Sequence, residues 1–245
     1  PYHLLFCLLP VRPSLVVIFL SLLLGLQPVT TDLYLPALPG MRSDFAASMG
    51  QAQLTLTALL LAFGLSQLVW GPLSDRFGRR PILLVGMGLY VLSSIACTMA
   101  SSMDTLILWR TLQGVAMGAG VVCARALLRD LYQPVEGAQV MSKGLTGLGV
   151  IACSSAPLGR LLSSWFCWRL ALLALAVFGG ITLGLLAWRF EETLAKRNPY
   201  ALKFGDLART WWKVARHPTF VAYSALASAS YGGLFTFLAA SSFVF

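Results

Sequence analysis

The chain alternates long apolar runs with short polar breaks over its 245 residues. Seven runs are long enough to cross the ~30 Å hydrocarbon core of a bilayer as helices. They fall near 14–36, 51–73, 82–101, 104–127, 140–162, 168–188 and 218–240. The pattern predicts an all-α polytopic membrane protein. Its organisation is an N-terminal segment (1–13), a six-helix transmembrane bundle (14–188), a linker (189–217) and a last segment holding the seventh run (218–245). The opening segment is apolar but broken by Pro10 and Pro13. It does not read as a signal peptide, because the apolar stretch runs on and no small-residue cleavage site follows.

Composition narrows the class further. Hydrophobic residues make up 58% and charged residues 11%, and the mean hydropathy is +0.77. A soluble domain carries more charge than this. The net charge of +9 does not point to nucleic acid, because the basic residues flank apolar runs, where they set topology and meet lipid headgroups. Of the 18 Lys and Arg, all but Arg42, Arg160, Arg169 and the intramembrane Arg110 fall on one side. By the positive-inside rule that side is cytoplasmic and holds the N-terminus. The five cysteines form no C-x-x-C pair, and His3 and His217 are far apart. These residues read as neither a disulfide framework nor a metal site.

The 189–217 linker holds most of the inner positive charge. In it Leu207, Trp211, Val214 and Ala215 recur at helical spacing among Arg209, Lys213 and Arg216. That suits an amphipathic helix on the cytoplasmic surface; a flexible linker is the other reading.

Charge at membrane depth costs at least ~2.5–3.5 kcal/mol, so it usually has a task. Asp32 in the first span and Arg110 in the fourth qualify. At about 1.5 Å per residue, Asp32 stands ~27 Å above the inner boundary and Arg110 ~21 Å above it. Asp32 reads either as a helix-end acid at the outer interface or as a proton site, since burial favours the neutral carboxyl and a nearby arginine the charged one. Arg110 reads either as a structural tie to backbone carbonyls or as part of that site.

The stretch Gly71-Pro72-Leu73-Ser74-Asp75-Arg76-Phe77-Gly78-Arg79-Arg80 concentrates charge between two spans. Gly71 suits close helix approach. Pro72 and Gly78 read as a tight turn, with Gly78 fit for positive φ. Asp75 is an acceptor for a helix N-terminus or an arginine. The order of residues resembles the G-x-L-x-D-R-x-G-R-[KR] loop between helices two and three of the major facilitator superfamily of transporters. Asp32-Leu33-Tyr34-Leu35-Pro36-Ala37-Leu38-Pro39 resembles the D-M-Y-L-P-A-L-P signature of drug:proton antiporters of the bicyclomycin/chloramphenicol-resistance (Bcr/CflA) branch. Arg110-Thr111-Leu112-Gln113-Gly114 is similar to the R-x-x-Q-G motif of span four, associated there with proton coupling. Arg129-Asp130-Leu131-Tyr132 resembles the R-D-x-Y at the exit of that span, whose acid pairs with an arginine of the opening loop. That implies an Asp130–Arg79 pair. In the family the Asp75 position answers the N-terminal end of a helix from the second half.

Span five carries Gly144, Gly147, Gly149, Ala152, Ala156, Pro157 and Gly159, which suits close packing and a bend. It is only distantly similar to the antiporter motif G-x-x-x-G-P-x-x-G-G. Ala152 and Ala156 replace glycines, and Arg160 stands where the family has glycine. Tyr34, Tyr231 and Phe235 are candidate lining for a substrate cavity; the aromatics of span seven equally suit lipid or helix contacts.

The resemblance covers roughly residues 14–245. It implies proton-coupled efflux of small amphipathic drugs across the bacterial inner membrane by alternating access. Partners would be the bilayer, the drug, protons and a C-terminal half that this chain does not supply. The proton gradient would drive it, with no cofactor. Alternatives are a metabolite or sugar permease of the same fold, or a non-transporting membrane fragment.

Overall fold

The structure is a computed structural model that describes residues 13–165, 167–194, 197–199, 201–202 and 204–244. The opening segment to residue 12, with His3 and Cys7, and the side chain of Phe235 lie outside the described residues. The chain divides into two compact units, one ending at Arg197 and one beginning at Asn198.

The first unit is built from α1 (Pro13–Asp32), α2 (Leu38–Asp44), α3 (Met49–Phe77), α4 (Arg79–Thr98), α5 (Met103–Leu131), α6 (Pro134–Trp165) and α7 (Trp168–Arg189). Six stretches of the described residues, Ser14–Asp44, α3, α4, α5, Pro134–Ser164 and α7, are long and apolar enough to cross a membrane. α1 and α5 are the most buried; α6 and α3 turn most of their surface outward. The main pairings are α3 with α5, α1 with α6, and α4 with both α5 and α7. A core of Phe19, Leu20, Leu23, Met87, Met117 and Leu127, among others, fills the space between α1, α4 and α5.

Local sequence explains the ends of these elements. The first span does not run helical to residue 36: α1 stops at Asp32, and Leu35–Ala37 form a 3-10 turn before α2. Pro36 has no N–H with which to continue the α1 ladder onto the Asp32 carbonyl, and Pro36 and Pro39 stand instead in the first positions of the 3-10 turn and of α2, where no donor is needed,. α3 opens with a capping box, in which Ser48 Oγ accepts from the Gln51 amide and Gln51 Oε1 accepts from the Ser48 amide. These two bonds satisfy donors that a helix start otherwise leaves orphaned.

The charged stretch also differs from expectation. α3 continues through Pro72 to Phe77, so Asp75 and Arg76 are helical and the connection to α4 is Gly78 alone. With 29 residues α3 spans about 43 Å, so its last turn stands clear of the hydrocarbon. Gly78 has φ +109° and ψ 159°, a region open essentially only to glycine. Gly71 is not a point of close approach: a Cβ there would meet nothing within 4 Å. The tight contacts lie elsewhere. A Cβ on Gly114 would collide with the backbone of Leu59, and one on Gly159 with the backbone of Leu33. Pro157 sits inside α6 without ending it.

In the second unit, α8 (Phe204–Ala215) and α9 (Pro218–Val244) are joined by Arg216 and His217. α8 occupies the linker where helical spacing predicts an amphipathic segment. α9 covers the seventh apolar run, with Pro218 at the first helical position, where its missing N–H costs nothing.

Candidate functional site

Two polar clusters stand out, one within the bundle and one at its end. The inner cluster is centred on Arg110, whose side chain is fully buried. Its Nη1 donates to Gln113 Oε1 (2.7 Å) and its Nη2 to the Thr30 carbonyl (3.2 Å). The guanidinium lies 3.8 Å from the centroid of the Tyr34 ring. Its Nε has no hydrogen-bond partner, and among the described residues no carboxylate pairs with it. A buried cation is thus held by neutral acceptors and an aromatic face, which leaves its charge largely uncompensated.

The hydroxyls around Arg110 have a definite direction. Gln113 Nε2 donates to Ser94 Oγ (2.6 Å), and Ser94 in turn donates to the Tyr90 carbonyl (2.7 Å). Thr30 donates to the Leu26 carbonyl, so in the 2.7 Å contact between Tyr90 and Thr30 the phenol is the donor. By the same reasoning Tyr34 donates to Thr55 (2.6 Å), whose proton goes to the Ala52 carbonyl. Side chains from α1, α3, α4 and α5 are thereby tied to one guanidinium. Tyr34 is fully buried here and does not face an open cleft.

Asp32, the last residue of α1, is half-buried and accepts from Thr31 Oγ1 at 2.9 Å. Arg110 reaches the carbonyl only two residues earlier, so the two charges stand at the same level without pairing. Gly159 of α6 packs on Leu33, the residue after Asp32, while Ala156, Pro157 and Arg160 are exposed. An apolar cleft of about 580 Å³ opens nearby between α1, α6 and α7, lined by Leu33, Ile151, Leu158, Leu173 and Phe178 with Ser154 and Ser155. Neither Asp32 nor Arg110 lines it. Tyr231 of α9 is exposed.

The second cluster is centred on Arg79, only 2% exposed although it begins α4. Its Nε binds Asp130 Oδ2 (3.0 Å), and its Nη1 binds Asp75 Oδ1 (2.7 Å) and Ser74 Oγ (2.6 Å). The more exposed Arg129 stands 3.9 Å from Asp75. Arg76 lies over the Phe77 ring. Beside Asp75 and Arg79, an opening of about 160 Å³ is lined by Gly71, Val122, Arg125, Ala126 and Arg129. The open space at Gly71 belongs to this pocket.

Glu192, just beyond α7, completes the cluster. Its carboxylate accepts from the backbone amides of Arg79 (2.9 Å) and Arg80 (3.2 Å), capping α4. Arg80 returns a bond to the Ala187 carbonyl of α7 (3.1 Å). Glu192 was not singled out from sequence. Its place in a Glu-Glu-Thr run after a span carried no sign of a partner more than a hundred residues away. Tyr90, Ser94, Thr30 and Thr55 were also missed, although polar residues within apolar spans are a usable signal.

A bundle of six apolar helices with a buried cation at its centre and charged residues concentrated at one end is the arrangement of a polytopic membrane protein,. The Major Facilitator Superfamily profile matches residues 20–244, and the chain belongs to that family. It is 32% identical to a bicyclomycin resistance protein homolog of Haemophilus influenzae, over 94% of this chain and 58% of the relative. It is 35% identical to multidrug resistance protein D of Escherichia coli, over 71% of this chain and 44% of that one. To the chloramphenicol resistance protein of Pseudomonas aeruginosa it is 38% identical, over 68% and 40%. The human organic anion transporter MFSD10 has the same fold, with a TM-score of 0.65 at 22% identity over 84% of this chain and 56% of that one. The chain spans about half the length of the curated relatives it matches. It is a multi-pass membrane protein of the major facilitator superfamily whose relatives include drug-resistance transporters.

Proposed function

We propose that this chain supplies the first helical half of a proton-coupled efflux transporter for small amphipathic molecules in the bacterial inner membrane, with its N-terminus cytoplasmic. Asp32 takes up and releases the proton, and Arg110 supplies the field that biases it. The observation that carries this reading is the placing of an unpaired, fully buried guanidinium on the carbonyl of Thr30, two residues from a half-buried carboxyl. A proton on Asp32 changes the charge at that level of the bundle by one unit, and charge at membrane depth is costly enough to matter to helix arrangement. Relatives named for drug resistance support the substrate class.

Arg79, Asp75 and Asp130, with Arg76, Arg80 and the glycines, form the cytoplasmic gate. Asp75 keeps one side toward the pocket at Gly71, where an element of a second half would enter in the closed state. Alternating access then follows from two halves rocking about the level of Asp32.

The test is transport into everted vesicles by an intact transporter in which these residues are followed by a second helical half. Asp32→Asn should insert normally and lose proton-driven drug uptake. Undiminished proton-driven uptake would overturn the assignment. Proton-driven uptake of a sugar or metabolite, with no drug transport, would favour a permease of the same fold.

A further inference from the structure

Among the described helices, α8 is the one whose polar and apolar faces are cleanly opposed. At 100° per residue, Leu207, Ala208, Trp211, Trp212, Val214 and Ala215 fall within one arc of about 160°, and Arg209, Lys213 and Arg216 on the opposite side. Among the described side chains the apolar arc is covered only in part. Trp212 is 61% and Val214 43% exposed, and Leu207 and Trp211 are half-buried. Trp212 lies at the edge of the arc, and the Arg216 guanidinium stands over its ring at 4.3 Å. An indole and a cation paired at the border of an apolar face suit the level where acyl chains give way to phosphates.

Connectivity fixes where this helix must sit. Only Arg216 and His217 separate it from α9, whose 27 residues contain no Asp, Glu, Lys or Arg. α8 therefore begins its polar face at the boundary of an uncharged apolar helix. The helix has one carboxylate, Asp206, against three cations in and just after it.

We propose that α8 docks flat on a bilayer surface rich in anionic phospholipid, with its apolar arc among the upper acyl chains and Arg209, Lys213 and Arg216 on the headgroup phosphates. This docking rests on the chain being a membrane protein and not on its being a drug transporter. Burial of the arc supplies adhesion to any bilayer; the three cations make that adhesion depend on lipid charge. Docking in this way would hold the connection between two helical halves against the membrane and restrict how far it swings.

The whole chain is reconstituted into nanodiscs of phosphatidylcholine, alone or mixed with phosphatidylglycerol, and amide hydrogen exchange is followed over 204–216. Phosphatidylglycerol should slow exchange there by roughly tenfold or more, and high salt should remove the effect. The variant carrying Arg209→Gln, Lys213→Gln and Arg216→Gln should lose the response to phosphatidylglycerol, whereas Arg209→Lys with Arg216→Lys should keep it. Exchange in α4 reports that the bundle is folded in each case. Equal protection in both lipids, as from packing on the protein's own surface, would overturn the proposal. So would protection in neither lipid, or a response that survives loss of all three charges. Discs offer the same lipid on both faces, so the outcome is independent of orientation and of transport.

Discussion

Arg79 and Asp130 meet at 3.0 Å across 51 positions of chain, and the arginine is almost wholly enclosed. This pair ties the start of α4 to the end of α5, while Asp75 ties the same guanidinium to the last turn of α3. Three helix ends are thereby joined at one cation. The carboxylates are unequal partners: Asp130 is 14% and Asp75 41% exposed. Removing a partner from a buried charge is costly, whereas a water-accessible pair contributes little.

Asp130→Asn should therefore destabilise the bundle by about 3 kcal/mol or more, and Asp75→Asn by about 1 kcal/mol or less. Thermal unfolding of the detergent-purified protein measures both. Equal shifts, or a larger one for Asp75, would show that the exposed side holds the cluster together.

Glu192 caps α4 through two amides, and Gly78 holds the chain in a glycine-only conformation beneath it. Glu192→Ala should cost about 1–2 kcal/mol by loss of the cap. It should also speed hydrogen exchange at Arg79 and Arg80 without changing α5. Gly78→Ala should cost more, because the new Cβ meets both an unsuitable φ and the Glu192 carboxylate,. If Glu192→Ala leaves exchange at Arg79 and Arg80 unchanged, water caps α4 equally well.

Much of this was legible in the sequence, for reasons that can be located. Apolar runs reported the six spanning stretches because lipid requires every spanning backbone to satisfy its own hydrogen bonds. The Arg79–Asp130 pair followed from motif resemblance alone; spacing along the chain gave no hint of it. Helix ends were read less well. Pro72 suggested a turn, yet α3 runs through it, while Pro36 and Pro39 did break the first span. The difference lies in position: Pro36 and Pro39 each open a new short element, whereas Pro72 lies inside a 29-residue helix. Gly71 suits close packing because it lacks a side chain, but the fold places such contacts at Gly114 and Gly159 instead. The ring of Thr30, Tyr90, Ser94 and Gln113 around Arg110 needs three helices, α1, α4 and α5, in register, which no linear pattern encodes.

The orientation is open to direct labelling. Ser43 and Gln133 are exposed at opposite ends of the bundle, between α1 and α3 and between α5 and α6. Single cysteines are placed there in a variant without native cysteines. An impermeant thiol reagent added outside cells should label position 43 and spare position 133. The reverse order would invert the topology argued from the basic residues.

Residues 1–245 expressed alone should insert but not transport. Alternating access requires two halves around a shared site, and the chain spans about half the length of its relatives. The surfaces agree. α6 turns Leu145, Val150, Leu158 and Leu161 outward, and α3 does the same with Leu61, Leu65 and Leu68. Lipid can cover such faces. It serves Arg160 of α6 less well, and at the Gly71 pocket Asp75 has Arg79, Arg129 and the nearby Arg125 but no helix end of a second half to answer it. With no second half, Asp32 and Arg110 have no opposing wall across which access could alternate. The comparison is drug resistance in a sensitive bacterium expressing either residues 1–245 or an intact relative, with membrane levels matched. Resistance should appear only with the relative. Equal resistance from both, with no longer product made, would mean that these helices carry out transport by themselves, for instance by pairing two copies.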